Sequence, residues 1–304
     1  MTRPRKSLIS LANSPYHHIT SRCVRRSLLC GNDHFSGRSY EHRRQWIVDR
    51  IRLLSSIFAI DICSYAVMSN HYHLVVKIDP EQIAQLPLDQ IIKRWRCLYK
   101  GPTLIQRYIA GEKLSPAEHD GVLQVVEVWR KRLANVSWFM RLLNFHITLR
   151  ANKEDQCRGH FWEARFASQA LKEDEALLSC MAYVDLNPVR AGIANAPEVS
   201  DYTSIQERIT PTFDLEDAIR EQTNKHQLRE FCLDLKPLIP LSENTNQNSQ
   251  SSIPLAFSTY LELLDWTKRA ISENNRSGLP MDTPPILGRM RINKKRWLLN
   301  AVKP

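Results

Sequence analysis

Two histidines separated by one residue are the strongest chemical feature of the amino-acid sequence. His71 and His73 begin the segment HYHLVVKI (residues 71–78), which has high β propensity. Side chains at positions i and i+2 of a strand point to the same face, so the two imidazoles should lie side by side. Two neutral imidazoles on one face can bind a divalent cation. An isolated H-x-H pair is more often structural or exposed, so both interpretations stay open on this feature alone.

A tyrosine and an asparagine form the second feature, within the segment YVDLNPVRAG (residues 183–192). If Tyr183 lies in a helix, Asn187 is four residues further on and shares its face. A phenol and an amide oxygen would then point into one site. The alternative is a core aromatic whose hydroxyl is hydrogen-bonded, followed by a plain helix end at Asn187 and Pro188.

Together these segments resemble the single-tyrosine HUH transposases of the IS200-like and REP-associated kinds. The YAVMSN strand and turn precede HYH, and YVDLNPVRAG follows at a suitable distance. GHFWEARF (residues 159–166) and the opening YHHITSR (residues 16–22) are also similar to family segments. The resemblance covers residues 14–200.

The resemblance implies an enzyme that cleaves and rejoins single-stranded DNA, usually at a hairpin, through a 5′-phosphotyrosine intermediate. Tyr183 would be the nucleophile, and His71, His73 and Asn187 would hold Mg²⁺ or Mn²⁺. A module that binds hairpin DNA or RNA on the same fold without cleaving it is the alternative. A zinc hydrolase ranks last, because HExxH is absent from the sequence.

Several basic and aromatic side chains are candidates for DNA contact. Arg165 would contact phosphate, although a surface ion pair with Glu163 is an equal alternative. Trp138 and Trp162 could stack on bases, although tryptophans are more often core residues. His17 and His18 are expected to be strand residues rather than ligands. The remaining candidates are basic residues of the first strand and the first helix: Arg22, Arg43 and Arg44.

The fold implied by the family is an α/β (α+β) ferredoxin-like sandwich with a central antiparallel sheet. Residue periodicity agrees, and predicts strands over residues 16–23, 60–68, 71–78 and 161–171, with helices over 40–58, 88–99, 125–149, 173–184 and 256–271. Trp138, Leu142, Phe145 and Leu149 form a stripe that is expected to be core. The predicted domains are a nuclease domain (1–200, with a helical insertion at 80–124), a helical extension (201–240), a linker (241–254), and a helix with a basic tail (255–304).

Composition limits the classes of protein to consider. The 304 residues are 43% hydrophobic and 24% charged, which is typical of a globular protein and excludes extensive disorder. The net charge is +10, and residues 1–60 hold eleven Lys and Arg against three Asp and Glu, which suits a polyanion such as DNA. Seven scattered cysteines without a CxxC pair predict neither a zinc ribbon nor a disulfide framework. We expect a cytoplasmic, nucleoid-associated monomer or homodimer without a membrane segment.

Overall fold

A computed structural model describes residues 14–24, 29–33, 37–211, 213–224, 228–229, 231–242 and 252–271. The predicted basic tail and the centre of the predicted linker lie outside these residues. The strands are β1 (Tyr16–Arg22), β2 (Ile60–Val67), β3 (His71–Ile78) and β4 (Ala167–Ala170). The helices are α1 (Arg43–Ile57), α2 (Glu81–Ala84), α3 (Leu88–Arg96), α4 (Thr103–Ile109), α5 (Pro116–Leu133), α6 (Val136–Glu154), α7 (Asp174–Asp185), α8 (Asn187–Arg190), α9 (Ser204–Ile209), α10 (Leu215–Asn224) and α11 (Phe257–Ile271).

The four strands form one antiparallel sheet in the order β2-β3-β1-β4. A helix connects β1 to β2, a tight turn connects β2 to β3, and helices connect β3 to β4. This connectivity and strand order define a ferredoxin-like arrangement. The predicted fold class is therefore confirmed, including its helical insertion after β3.

Alternation of side chains along the strands gives the sheet two buried faces. On one face, Ile19, Leu74 and Val76 belong to the main core, against which α1 and α6 pack. On the other face, Ala66 and Val75 belong to a second core with residues of α7 and α11. The central part of the sheet is thus covered on both sides, and the candidate histidines lie beside the second core.

The turn between β2 and β3 is tied to the end of β1. The amide of Met68 donates to the carbonyl of His71 at 2.8 Å and closes the hairpin. The amide of Cys23, just after β1, donates to the carbonyl of Asn70 at 2.9 Å. The first residues of β3 and the last residues of β1 therefore lie together at one end of the two central strands.

The single helix predicted for residues 125–149 is wrong, because the chain breaks there into α5 and α6. Asn135 causes the break: its side-chain oxygen accepts from the amides of Ser137 at 2.8 Å and Trp138 at 3.3 Å, which starts a new helix. The predicted apolar stripe lies wholly within α6 and is only partly core, because Leu142 is buried and Trp138 is half-buried but the other two members face solvent. Phe145 is 59% exposed and Leu149 is 45% exposed.

Residues after 200 pack against the sheet and α7. Ile205, Ile253 and Leu263 are buried in the second core. The amide of Ile239 donates to the carbonyl of Ile62 at 2.9 Å. Leu241 forms a parallel bridge with Ile253, so the two ends of the predicted linker contact each other. The domain boundaries themselves stay predictions. In the described ranges, every helix is too short or too polar to cross a membrane.

Arg43 and Arg44, which were expected to contact DNA, are buried instead. Arg43 is 1% exposed and Arg44 is 5% exposed. The Nε of Arg43 donates to Glu154 at 2.7 Å, a second donor reaches Asp155, and the guanidinium lies 4.1 Å from the centre of the Tyr40 ring. Contacts from α6 and the preceding loop enclose this end of α1, which a local sequence pattern does not reveal.

Replacing Arg43 by alanine should lower the free energy of unfolding by about 2–4 kcal/mol, because it leaves two carboxylates without their buried partner. Urea denaturation followed by circular dichroism measures the change. Arg96→Ala, which removes an exposed arginine of α3, is the control and should change the value by less than about 0.5 kcal/mol. An effect of Arg43→Ala as small as that of the control would contradict the burial argument.

Candidate functional site

Three imidazoles lie on the face of the sheet that carries the second core. His71 and His73 are neighbours on β3, with ring centres 4.8 Å apart. His18 of β1 stacks on His73, with ring centres 5.1 Å apart and planes inclined by 17°. His18 is a strand residue, as expected, but its contact with the pair depends on the β1–β3 register and could not be read from the sequence.

Hydrogen bonds fix the orientation of both predicted ligands. The Nδ1 of His71 lies 2.6 Å from the side-chain oxygen of Asn70. Because that oxygen only accepts, Nδ1 carries the hydrogen and Nε2 keeps its lone pair. The Nδ1 of His73 lies 2.9 Å from Nε2 of His18 and 3.2 Å from the hydroxyl of Thr20. The other ring nitrogen of His73, Nε2, lies 3.1 Å from the side-chain nitrogen Nδ2 of Asn187.

Burial keeps these imidazoles neutral. Burial, reinforced by His18, His71 and Arg22, lowers the pKa of His73 to about 2. Burial and then the charge of Arg22 lower the pKa of His71 to about 4, and burial lowers the pKa of His18 to about 4. At neutral pH the rings therefore carry lone pairs rather than positive charge.

Tyr183 and Asn187 reach the same place from the opposite side. The ring centre of Tyr183 lies 5.6 Å from that of His73 and 6.2 Å from that of His18. α7 ends at Asp185, and Leu186 keeps near-helical angles (φ −87°, ψ −4°) before α8 begins at Asn187. The four-residue spacing thus still places both side chains on one side of the chain, as the sequence predicts.

A glycine turn ends α8 and leaves an arginine beside the phenol. Gly192 has φ +69°, its amide donates to Val189, and the amide of Ile193 donates to Pro188 at 2.9 Å. These are the bonds of a Schellman motif, in which glycine is preferred because a side chain would be strained at this φ. The guanidinium of Arg190 lies 5.0 Å from the centre of the Tyr183 ring. Arg190 was missed, although it belongs to the quoted YVDLNPVRAG segment.

A buried carboxylate holds the end of α7. Asp185 lies between the two site residues and is fully buried. It accepts from the amide of Ile205 at 3.1 Å, from the hydroxyl of Ser204, and from the hydroxyl of Tyr260 at 2.6 Å. Burial raises the pKa of Asp185, and these hydrogen bonds oppose the rise. The helix that carries Tyr183 is therefore tied to α9 and to α11.

The remaining candidates for DNA contact are the last residue of β1 and two residues of the segment before β4. Arg22 is exposed and pairs in register with His71. Trp162 is half-buried and donates from Nε1 to the carbonyl of Asn144 at 3.0 Å. Arg165 is exposed, and over the described residues it forms no ion pair with Glu163. Of the predicted set, Arg22 is therefore beside the imidazoles, whereas Trp162 and Arg165 line a separate groove.

The donors present fit a hard or intermediate divalent cation. Across the described ranges, no group of three or more His, Cys, Asp or Glu side chains is placed to bind a metal. The candidate ligands are Nε2 of His71, Nε2 of His73 and the side chain of Asn187, and both imidazoles are neutral, as a metal ligand requires. The Nδ2 of Asn187 lies beside His73, so the amide group would have to flip to present its oxygen to an ion. A mixed nitrogen and oxygen set without a carboxylate suits Mn²⁺ or Mg²⁺ at modest affinity.

Comparisons with known proteins give a distant structural relationship. No protein-family model matches the chain, and no curated protein matches it. A solved structure of a REP-associated tyrosine transposase bound to a REP hairpin is similar, with 14% sequence identity and a TM-score of 0.36. The similarity covers 71% of this chain and 90% of that one.

Replacing Tyr260 by phenylalanine should lower the free energy of unfolding by about 1–3 kcal/mol, because the buried carboxylate of Asp185 loses a donor and the ring is kept. Urea denaturation measures the loss. Tyr99→Phe, at a residue that is 37% exposed, is the matched control and should change the value by less than about 0.5 kcal/mol. Equal effects of the two variants would show that the Tyr260 hydroxyl does not stabilise α7.

Proposed function

We propose that the protein cleaves and rejoins single-stranded DNA, with hairpin-forming DNA as its preferred substrate. The observation that carries this proposal is the convergence of one phenol and two neutral imidazoles on one face of the sheet. The ring of Tyr183 comes from α7, and the rings of His71 and His73 come from β3. The ring centre of His73 lies 4.8 Å from that of His71 and 5.6 Å from that of Tyr183. A tyrosine that only fills the core would not need two imidazoles beside it.

The reaction exchanges one phosphodiester for another. The Oη of Tyr183 attacks the scissile phosphorus and loses its proton, while the bond from phosphorus to the 3′ oxygen breaks and that oxygen takes up a proton. The products are a 5′-phosphotyrosine and a free 3′-hydroxyl. Because the number of phosphodiester bonds is unchanged, a 3′-hydroxyl can attack the phosphotyrosine and reseal a strand without an external energy source.

The side chains around Tyr183 would bind and orient the phosphate but would not react with it. His71, His73 and Asn187 would hold Mg²⁺ or Mn²⁺, which supplies charge stabilisation at the phosphate and the leaving oxygen when bound. The contact with Asn70 orients the ring of His71. The contact with His18 orients the ring of His73. Such outer contacts fix the tautomer and direction of a ligating imidazole.

Two arginines supply positive charge on either side of these rings. Arg22 faces His71 across the β1–β3 ladder, and Arg190 lies over the ring of Tyr183. Guanidinium groups bind non-bridging phosphate oxygens in a forked geometry. We assign them to hold the phosphate while Tyr183 approaches it.

The nucleophile is tested with labelled hairpin oligonucleotides that carry single-stranded flanks of random sequence, incubated with Mn²⁺. The wild type should form a covalent adduct that survives denaturing electrophoresis, and Tyr183→Phe should abolish it. Tyr99→Phe is the control and should form the adduct at the wild-type rate. An adduct that persists in Tyr183→Phe, or tight binding by the wild type without any adduct, would overturn the proposal and favour a non-cleaving module.

The metal ligands are tested by binding as well as by activity. His71→Ala should weaken Mn²⁺ binding by at least about 10–100-fold, the loss that follows when only a hydrogen-bond partner of a ligand is removed. The affinity is measured by electron paramagnetic resonance of the free ion in the presence of hairpin DNA. Adduct formation should fall in parallel. His119→Ala removes an exposed histidine of α5 and should change neither quantity. Unchanged Mn²⁺ affinity in His71→Ala would remove this residue from the ligand set.

A further inference from the structure

Two cysteines that are far apart in the sequence meet where the helical insertion contacts the residues after 228. Cys97 directly follows α3, and its carbonyl accepts from the amide of Arg229 at 2.9 Å. The thiol of Cys97 is in hydrogen-bond contact with the side chain and the backbone of Cys232. The two sulfur atoms are therefore neighbours in the folded chain, and the function proposed above uses neither of them.

The two thiols differ in their exposure to solvent. Cys232 is exposed, whereas Cys97 is buried and its thiol donates to the carbonyl of Lys93 at 3.5 Å. Burial raises the pKa of Cys97 to about 12. Because the thiolate is the nucleophilic form, a dissolved reagent reacts first with Cys232, and Cys97 reacts only with a group that is already beside it.

A pocket of about 510 Å³ opens beside the exposed thiol. Its volume is in the range of sites for small molecules. Cys232 lines it on one side, and residues of α3 and α4 line the rest. Ile92, Tyr108 and Ile109 form its apolar part. A small molecule in this pocket would therefore lie in contact with the thiol of Cys232.

The charged residues of the pocket are two cations and one carboxylate. Lys93 and Arg96 are exposed, and over the described residues neither forms an ion pair. The carboxylate of Asp89 accepts from the hydroxyl of Tyr108 at 3.1 Å. The net positive charge beside Cys232 favours a ligand that carries carboxylates.

We propose that Cys232 is a modification site for small disulfides that carry carboxylates, and that Cys97 converts the modified form into an internal Cys97–Cys232 disulfide. Lys93 and Arg96 would bind the carboxylates of the small disulfide while Cys232 attacks its sulfur. Glutathione disulfide has this chemistry and serves as the probe. The reaction uses neither Tyr183 nor the imidazoles, so it stands apart from DNA cleavage.

The reaction consists of two thiol–disulfide exchanges. In the first, the thiolate of Cys232 attacks one sulfur of the small disulfide, a mixed disulfide forms, and the first small thiolate leaves. In the second, the sulfur of Cys97 attacks Sγ of Cys232, the internal disulfide forms, and the second small thiolate leaves. Each protein thiol gives one proton to solvent, and each departing thiolate takes one up. Two protein thiols are thus oxidised by two electrons in total, and one small disulfide is reduced to two thiols.

The internal disulfide would join two parts of the fold. Residues that follow Cys232 contact the sheet and α1: the amide of Ile239 donates to the carbonyl of Ile62 at 2.9 Å, and the amide of Lys236 donates to Oγ of Ser56 at 2.8 Å. Oxidation would therefore connect the end of α3 covalently to the segment that contacts β2.

The site is tested on the reduced full-length chain. The protein is incubated with glutathione disulfide, the remaining thiols are alkylated, and the cysteine-containing peptides are identified by mass spectrometry over time. The products should be glutathione on Cys232 and a Cys97–Cys232 crosslink. Cys157, which is also exposed, is the control and should react at least about 10-fold more slowly.

Variants separate the two exchange steps. Cys97→Ala should accumulate glutathione on Cys232, because the second step cannot follow. Cys232→Ser should leave Cys97 unmodified, because the buried thiol does not meet the dissolved disulfide.

A further variant tests recognition of the carboxylates. Lys93→Gln should lower the rate at which glutathione disulfide modifies Cys232 by about 3–10-fold. It should not change the rate with the uncharged disulfide of mercaptoethanol. Lys131→Gln, which removes an exposed lysine of α5, is the matched control and should change neither rate.

Each part of the proposal has an outcome that overturns it. Equal rates at Cys232 and Cys157 would overturn the modification site. A wild-type product that stays at the mixed disulfide would overturn the role of Cys97. Equal effects of Lys93→Gln on the two small disulfides would overturn recognition of the carboxylates.

Discussion

The antiparallel register between β1 and β3 positions most of the candidate site. It places Thr20 opposite His73 and Arg22 opposite His71, and it brings His18 onto the ring of His73. Because side chains alternate along a strand, a shift by one residue would move these groups to the opposite face and into the main core. The hairpin turn and the hydrogen bond from the amide of Cys23 to the carbonyl of Asn70 fix this register at the end of the central strands where the site lies.

The helix that brings the phenol is fixed by a different interaction. The buried carboxylate of Asp185 accepts hydrogen bonds from three neutral donors of α9 and α11. Over the described residues, no Lys or Arg side chain is bonded to it. Removing a donor from a buried carboxylate lowers the free energy of unfolding by more than an exposed hydrogen bond adds to it. The position of Tyr183 relative to the sheet therefore depends on Ile205 and Tyr260, which follow Asp185 by 20 and 75 residues in the chain.

Local periodicity was sufficient for side chains that lie within a few residues of each other in the chain. The period of a strand predicted that His71 and His73 are neighbours, and helical spacing predicted the shared direction of Tyr183 and Asn187. Local periodicity does not predict contacts between elements. The contact of His18 with His73 depends on strand register, and the burial of Arg43 depends on carboxylates at the end of α6. The break at Asn135 was missed because apolar residues continue on both sides of it, and only the side-chain cap distinguishes the two helices.

The contact between Tyr260 and Asp185 also has a consequence for the order in which the chain is made. During synthesis, α7 leaves the ribosome long before α11, which begins at Phe257. Until then Asp185 lacks its phenol donor, and the second core lacks Tyr260, Leu263 and Leu264. The support for Tyr183 is complete only after α11 has been made, so a product terminated before Phe257 would carry the imidazole pair without a firmly held Tyr183.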